Sequence, residues 1–264
     1  MNISDIEHKN YIKKKKRYKL LVITTQILIL LSLIFIWELL ANLNIINTFL
    51  SSSPSLVIKT LTNLFETNDL FNHIFVTLYE TLISFSIATI VGILIASILW
   101  WNKFIARVLD PYLTVLNSLP KVSLGPLIII WVGANTNSII FMALMISLII
   151  TIINIYNGFI NVDNNYITLM KSFNAKKIDI YKKVIIPSNI NNIISTLKIN
   201  ISMSLIGVIM GELLVSKSGL GYLIMYGSQV FNINLVITSV VILGIISYIM
   251  YEIVNLIEIK LRKK

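Results

Sequence analysis

The chain has 264 residues, 56% of them hydrophobic and 13% charged, with 22 Lys and Arg against 12 Asp and Glu. A mean hydropathy of +0.83 excludes an ordinary soluble domain of this size, so the net charge of +10 reads as membrane topology rather than as a nucleic-acid surface. Cys is absent and the two His, His8 and His73, stand far apart, which leaves no disulfide, metal centre or other cofactor to expect.

In chain order, residues 1–19 form a basic cytoplasmic segment ending in the run KKKKRYK, and residues 20–264 form one transmembrane domain. Spans are expected near 20–40, 77–100, 112–133, 137–159, 197–216 and 235–257, each close to the roughly 20 residues that cross about 30 Å of hydrocarbon. The first is too long for a signal-peptide core and lacks a small-residue cleavage site, so it reads as an uncleaved span. Nineteen of the 22 Lys and Arg then fall on one side, with Lys59 and Lys217 opposite and Lys121 in or near a span. Basic residues accumulate in cytoplasmic loops, so both termini are expected inside. Glu38, beside Trp37, and Glu80 read as structural residues of the spans.

The third span contains LPKVSLGPLIIIWVG. Broken backbone is tolerated at membrane depth only where protein or a wet cavity satisfies the freed groups, so Pro120 and Pro126 are expected to bracket an irregular helix facing the bundle interior, or a packing kink away from any pathway. Lys121 there either serves a pathway or snorkels to the interface.

A long hydrophilic insert, about 160–196, follows the fourth span and packs five lysines between Lys171 and Lys183. Asp163 or Asn164 is placed to cap a short helix through YITLMKSF, and Asn174 suits the left-handed residue at its end. A second helix is expected from Lys176 to Ile186, with Ile178, Tyr181 and Ile185 on one face, stopped or kinked by Pro187. Such an insert is either a docking element for a soluble partner or an amphipathic segment lying on anionic lipid. In the fifth span Gly207 and Gly211 form a small-xxx-small pair suited to close helix packing. Glu212 beside them either helps an outer gate or binding-protein contact, or makes an interhelical hydrogen bond.

No G-x-x-x-x-G-K-[ST] phosphate loop, G-x-S-x-G elbow or H-E-x-x-H helix occurs, so the chain does not read as an enzyme, and any ATP hydrolysis is expected on another polypeptide. The alternative is a self-contained secondary transporter using Glu38, Glu80 or Glu212. Such folds usually show repeats with matching interruptions, and here only the third span looks broken.

Seven segments occur in a specific order: WELLA from Trp37, SPSLV from Ser53, ARVLDPYL from Ala106, LPKVSLGPLIIIWVGA from Leu119, IIPSNINNIISTLKI from Ile185, GELL from Gly211 and SGLGYLI from Ser218. Together they resemble the inner-membrane permease subunits of bacterial ABC importers, in the branch for nitrate, sulfonates, taurine and thiamine precursors. The resemblance implies an all-α polytopic membrane protein with about six spans and the type I permease fold, in the cell membrane. It implies as partners cytoplasmic ATPase subunits, an extracytoplasmic binding protein, a second copy in a homodimer, and membrane lipid. The family's EAA coupling motif falls on Thr168, Leu169 and Met170, with Asn174 where the motif has Gly, followed by Ala175. The missing Glu leaves apolar contact from Leu169, Met170 and Phe173 to hold the joint. Pathway or gate candidates are Pro120, Lys121, Pro126, Trp131, Glu212, Gly219 and Gly221. The cargo is a small solute, with an anion such as a sulfonate, taurine or nitrate and a thiamine precursor equally open.

Overall fold

The computed structural model describes residues 3–67 and 69–262. Met1, Asn2, Asn68, Lys263 and Lys264 lie outside the described residues, and with them two of the lysines that orient the termini. Regular structure among the described residues is helical throughout: α1 Ile3–Asn42, α2 Thr48–Ser51, α3 Pro54–Glu66, α4 Asp69–Trp101, α5 Lys103–Ser118, α6 Gly125–Val132, α7 Thr136–Ile160, α8 Asn164–Ser172, α9 Lys177–Ile180, α10 Ile186–Ser188, α11 Ile190–Val215, α12 Leu220–Gln229 and α13 Ile233–Arg262.

Among the described residues five helices are long and apolar enough to cross a membrane, in α1, α4, α7, α11 and α13, and five of the six expected spans lie in or across them. The expected third span, 112–133, is not one helix. Its segments, Lys103–Ser118 and Lys121–Val132, meet at 87°, so a sixth crossing exists only as this bent pair. Leu119 is extended (φ −61°, ψ 140°), as a residue preceding proline is driven to be, and a 3₁₀ turn over Lys121–Leu124 restarts the chain. Pro120 therefore makes the break. Pro126 sits in the first turn of α6, where its missing N–H breaks no helical bond, so the two prolines flank the 3₁₀ turn and Pro126 also opens the next helix.

Packing follows the small residues. The face of α4 turned into the protein carries His73, Thr77, Glu80, Thr81, Ser84, Ala88, Gly92 and Ala96 at helical spacing. Gly207 and Gly211 let α11 lie directly on α7: a Cβ on Gly207 would stand 2.4 Å from the Ala143 Cα, and one on Gly211 2.9 Å from the Ile139 Cα. A core of Leu205, Leu220, Leu223, Leu243, Ile246 and others joins α4, α11, α12 and α13. In contrast, α1 is exposed along its apolar length from Tyr11 to Ile36. It is held at its end, where Glu38 Oε2 accepts from Ser55 N (3.0 Å) at the start of α3, so Glu38 does serve structure.

Of the two outcomes expected at Pro187, a stop and a kink, the stop does not occur: α9 runs into a π turn, Tyr181–Ile185, then α10, and the chain turns at Asn189 into α11. The wider π turn aligns residues five apart, so Ile180 and Ile185 are buried together while Ile178 stays 40% exposed.

Candidate functional site

Two groups of candidate residues occupy opposite ends of the bundle. At one end α4 and α7 finish, α11 begins, and α8 lies across them. Asp163 caps α8 by accepting from Asn165 N (2.9 Å). Asn174 closes it at φ +56°, its N–H donating to Lys171 O (2.9 Å) while Ala175 N donates to Met170 O (3.1 Å). The helix has two faces. Ile167, Met170 and Ala175 pack inward on the cluster of Ala96, Ile155, Phe159, Val162, Ile180 and Ile185. Tyr166, Leu169 and Phe173 point out, 58%, 53% and 74% exposed, and Thr168 and Asn174 are exposed beside them. Met170 thus leaves the outward trio expected from the motif, and Tyr166 takes its place; the spacing 166, 169, 173 was the signal for it.

At the other end Glu212 is 1% exposed. Its Oε1 accepts from Thr77 Oγ1 (2.7 Å) and its Oε2 from Gly221 N (2.6 Å). Leu220 N donates to Thr77 Oγ1 (2.9 Å) and Gly219 N to His73 Nδ1 (2.9 Å), and the His73 ring stacks on Tyr222 with centroids 5.8 Å apart. Both glycines are demanded by close approach. Gly219 stands at φ +108° with its Cβ position 2.3 Å from Glu212 Oε1, and that of Gly221 is 2.7 Å from Glu212 Cβ. Glu212 is therefore an interhelical hydrogen-bonding group that seats the start of α12, too deeply buried to touch another protein. Glu80 lies fully buried beside it and near Thr136, its carboxyl oxygens making no hydrogen bond of standard geometry. His73 and Thr77 were not foreseen here; their signal was the polar series 73, 77, 80, 81, 84 on one face of an apolar span.

The bend holds the remaining candidates. Pro120 and Pro126 are exposed, Trp131 is 74% exposed, and Lys121 Nζ donates to Asn117 O (3.0 Å) at the end of α5. Gly125 packs between Leu214 and Met142, which fixes α6 on α11 and α7. Neither Lys121 nor Trp131 joins either end group by a hydrogen bond or ring contact among the described residues.

Residues 88–263, two thirds of the chain, match the binding-protein-dependent transport system inner membrane component family. The chain belongs to this family. A Bacillus subtilis transport permease named for aliphatic sulfonates, SsuC, is 26% identical over 88% of this chain and 84% of its own. The formylaminopyrimidine transport permease ThiX of Halalkalibacterium halodurans is 27% identical over 74% and 77%. Among solved structures, an amino acid ABC transporter with histidines superposes with a TM-score of 0.64 at 19% identity, covering 76% of this chain and 97% of that one. An inward-facing MetNI methionine ABC transporter gives 0.62 at 17%, covering 70% and 92%. The fold is that of ABC importer permeases. The permease is thus an inner-membrane component of a binding-protein-dependent transport system. The self-contained secondary transporter is set aside.

Proposed function

We propose that α8 of the permease docks a separate cytoplasmic ATPase subunit through Tyr166, Leu169 and Phe173, while Ile167 and Met170 anchor it to the spans. The observation that supports this most is the division of α8 into a buried apolar face and an exposed one. A surface helix with two apolar faces has one more than its own fold needs. ATP hydrolysis then lies on the partner, and nucleotide binding biases the spans between inward- and outward-open states through α8.

One such helix per chain serves one ATPase, so a homodimer engages two. With the coupling end in the cytoplasm, residues 1–19 and both termini are cytoplasmic, and the α12 end faces the binding protein. In this reading the 87° bend lines the pathway with Pro120, Lys121, Pro126 and Trp131, and the exposure of Pro120, Pro126 and Trp131 on the single chain suits a surface shared by two copies. Glu212, Gly219 and Gly221 hold the outer gate in shape. The relatives' names support a small organic cargo, either an anion such as an aliphatic sulfonate or a pyrimidine thiamine precursor; taurine and nitrate rest on the sequence resemblance alone.

The test is purification through a tag on the permease, followed by partner identification and an ATPase assay. Recovery of an ATPase that is lost in Leu169→Ser/Phe173→Ser is the expected result. Undiminished ATPase recovery with that variant refutes the docking role. Lys121→Met, with uptake unchanged, removes Lys121 from the pathway.

A further inference from the structure

The ends of α4, α5 and α7 enclose, with α8 and α9, a cleft of about 640 Å³. Four cations stand around it: Lys103 and Arg107 in the first turns of α5, Lys171 in the last turn of α8, and Lys177 at the start of α9. No Asp or Glu lines it. Among the described residues the ion pair of the chain is Lys198–Glu258, far along the sequence from all four, so none of them meets a carboxylate. Lys177 is engaged by donating to Trp101 O and by lying 5.6 and 5.2 Å over the Trp100 and Trp101 rings. Lys103, Arg107 and Lys171 remain as a group of like charges drawn together without a counter-charge, which is the electrostatic description of an anion site.

The depth of the cleft says which anion. Its wall includes Trp100, at the end of the apolar span α4, and tryptophan pairs of this kind settle at headgroup level. Phosphate is the anion that a bilayer supplies there, and basic pockets between span ends take lipid headgroups. Immediately beside Lys103 and Arg107, α5 presents Phe104, Val108 and Tyr112 at intervals of four residues, 75%, 45% and 63% exposed. That row is an apolar strip of the kind an acyl chain covers.

We propose that this cleft binds the headgroup phosphate of an anionic phospholipid, held by Lys103, Arg107 and Lys171, with an acyl chain along Phe104, Val108 and Tyr112. Because Lys171 belongs to α8 and the other two to α5, the lipid ties the insert to the ends of the spans. The binding claim stands on the cleft and does not require that α8 dock an ATPase.

The test is lipid retention by the purified permease complex, read by native mass spectrometry after exchange into micelles carrying phosphatidylglycerol or phosphatidylcholine. Retained phosphatidylglycerol and no retained phosphatidylcholine is the expected result. Binding weakens about fivefold per charge removed and roughly a hundredfold in Lys103→Gln/Arg107→Gln/Lys171→Gln, whereas Lys182→Gln/Lys183→Gln, outside the cleft, keeps the lipid. Equal retention of the two lipids, or equal loss in the two variants, overturns the site. Complete displacement of phosphatidylglycerol by inorganic phosphate overturns it in favour of a free-anion site. Loss of a co-purifying protein from the triple variant with lipid retention unchanged overturns it in favour of an acidic protein segment. Should the triple variant not assemble, Lys171→Gln alone decides, since a fivefold weakening supports the site and none refutes it.

Discussion

The two ends of the bundle use polar and apolar chemistry in opposite ways. At the α12 end, His73, Thr77 and Glu212 are buried and turned on the backbone N–H groups of Gly219, Leu220 and Gly221. Polar groups at membrane depth are costly unless paired, and here the pairing seats one helix on two others. At the α8 end the apolar side chains Tyr166, Leu169 and Phe173 stand outside, and the cations Lys103, Arg107 and Lys171 meet no acid. Glu80 beside them aside, one end pairs its buried polar groups with one another and is built to hold a shape. The other leaves contacts open and is built to be met by something else. Substitutions should accordingly damage stability at the first end and association at the second.

The largest effect is expected where the satisfied end is tightest. In Gly219→Ala the new Cβ occupies a backbone at φ +108° and stands 2.3 Å from Glu212 Oε1, so the carboxylate must leave Thr77 and Gly221. Positive φ alone costs about 1–2 kcal/mol and the displaced hydrogen bonds add to it, for a total above about 3 kcal/mol. The measurement is the thermal midpoint of the complex in detergent. An unchanged midpoint would show that α12 is not seated through Glu212.

Much of this arrangement was legible in the chain. Apolar length located the long spans because burying backbone in lipid leaves few alternatives to a helix. Pro120 announced a break, since the residue before a proline avoids the helical region, although neither Pro120 nor Pro126 says that the bend is 87°. The small residues Gly207 and Gly211 marked a close helix contact, but not that its partner is α7. The Glu212 network was not legible, because Thr77 lies 135 residues from it and only packing brings them together. The face of α8 was half legible. Carrying motif positions over placed Met170 outward, whereas the 3.6-residue period sets it with Ile167 on the inner side. The π turn that aligns Ile180 with Ile185 left no mark in composition or periodicity, so the face expected to carry Ile178, Tyr181 and Ile185 omits the buried Ile180.

The inner and outer faces of α8 supply the next sharpest contrast. Met170→Ala removes a half-buried side chain from the cluster around Phe159 and Ile185, and should lower stability by about 2 kcal/mol. Leu169→Ala, one residue earlier, removes an exposed side chain and should shift stability by less than about 0.5 kcal/mol. Its effect should instead appear as loss of co-purifying ATPase. Equal melting shifts for the two variants would mean that α8 does not divide between anchor and docking face.

The smallest effect tests Asn174, the position where the sequence resemblance sets a Gly. Asn174 sits at φ +56°, in the left-handed region that the motif's Gly enters freely and that Asn tolerates through its short polar side chain. Its own N–H and that of Ala175 close the end of α8, so the conformation cannot relax without opening both bonds. Asn174→Ala should therefore cost about 1 kcal/mol, and Asn174→Gly should lie within about 0.5 kcal/mol of the parent. Because the residue is exposed, neither change disturbs packing, and the order of the three midpoints isolates the backbone term. If alanine melts with glycine and asparagine, the helix ends there by packing of Ala175 and Ile167 alone, and the left-handed turn is a consequence of that packing rather than its cause.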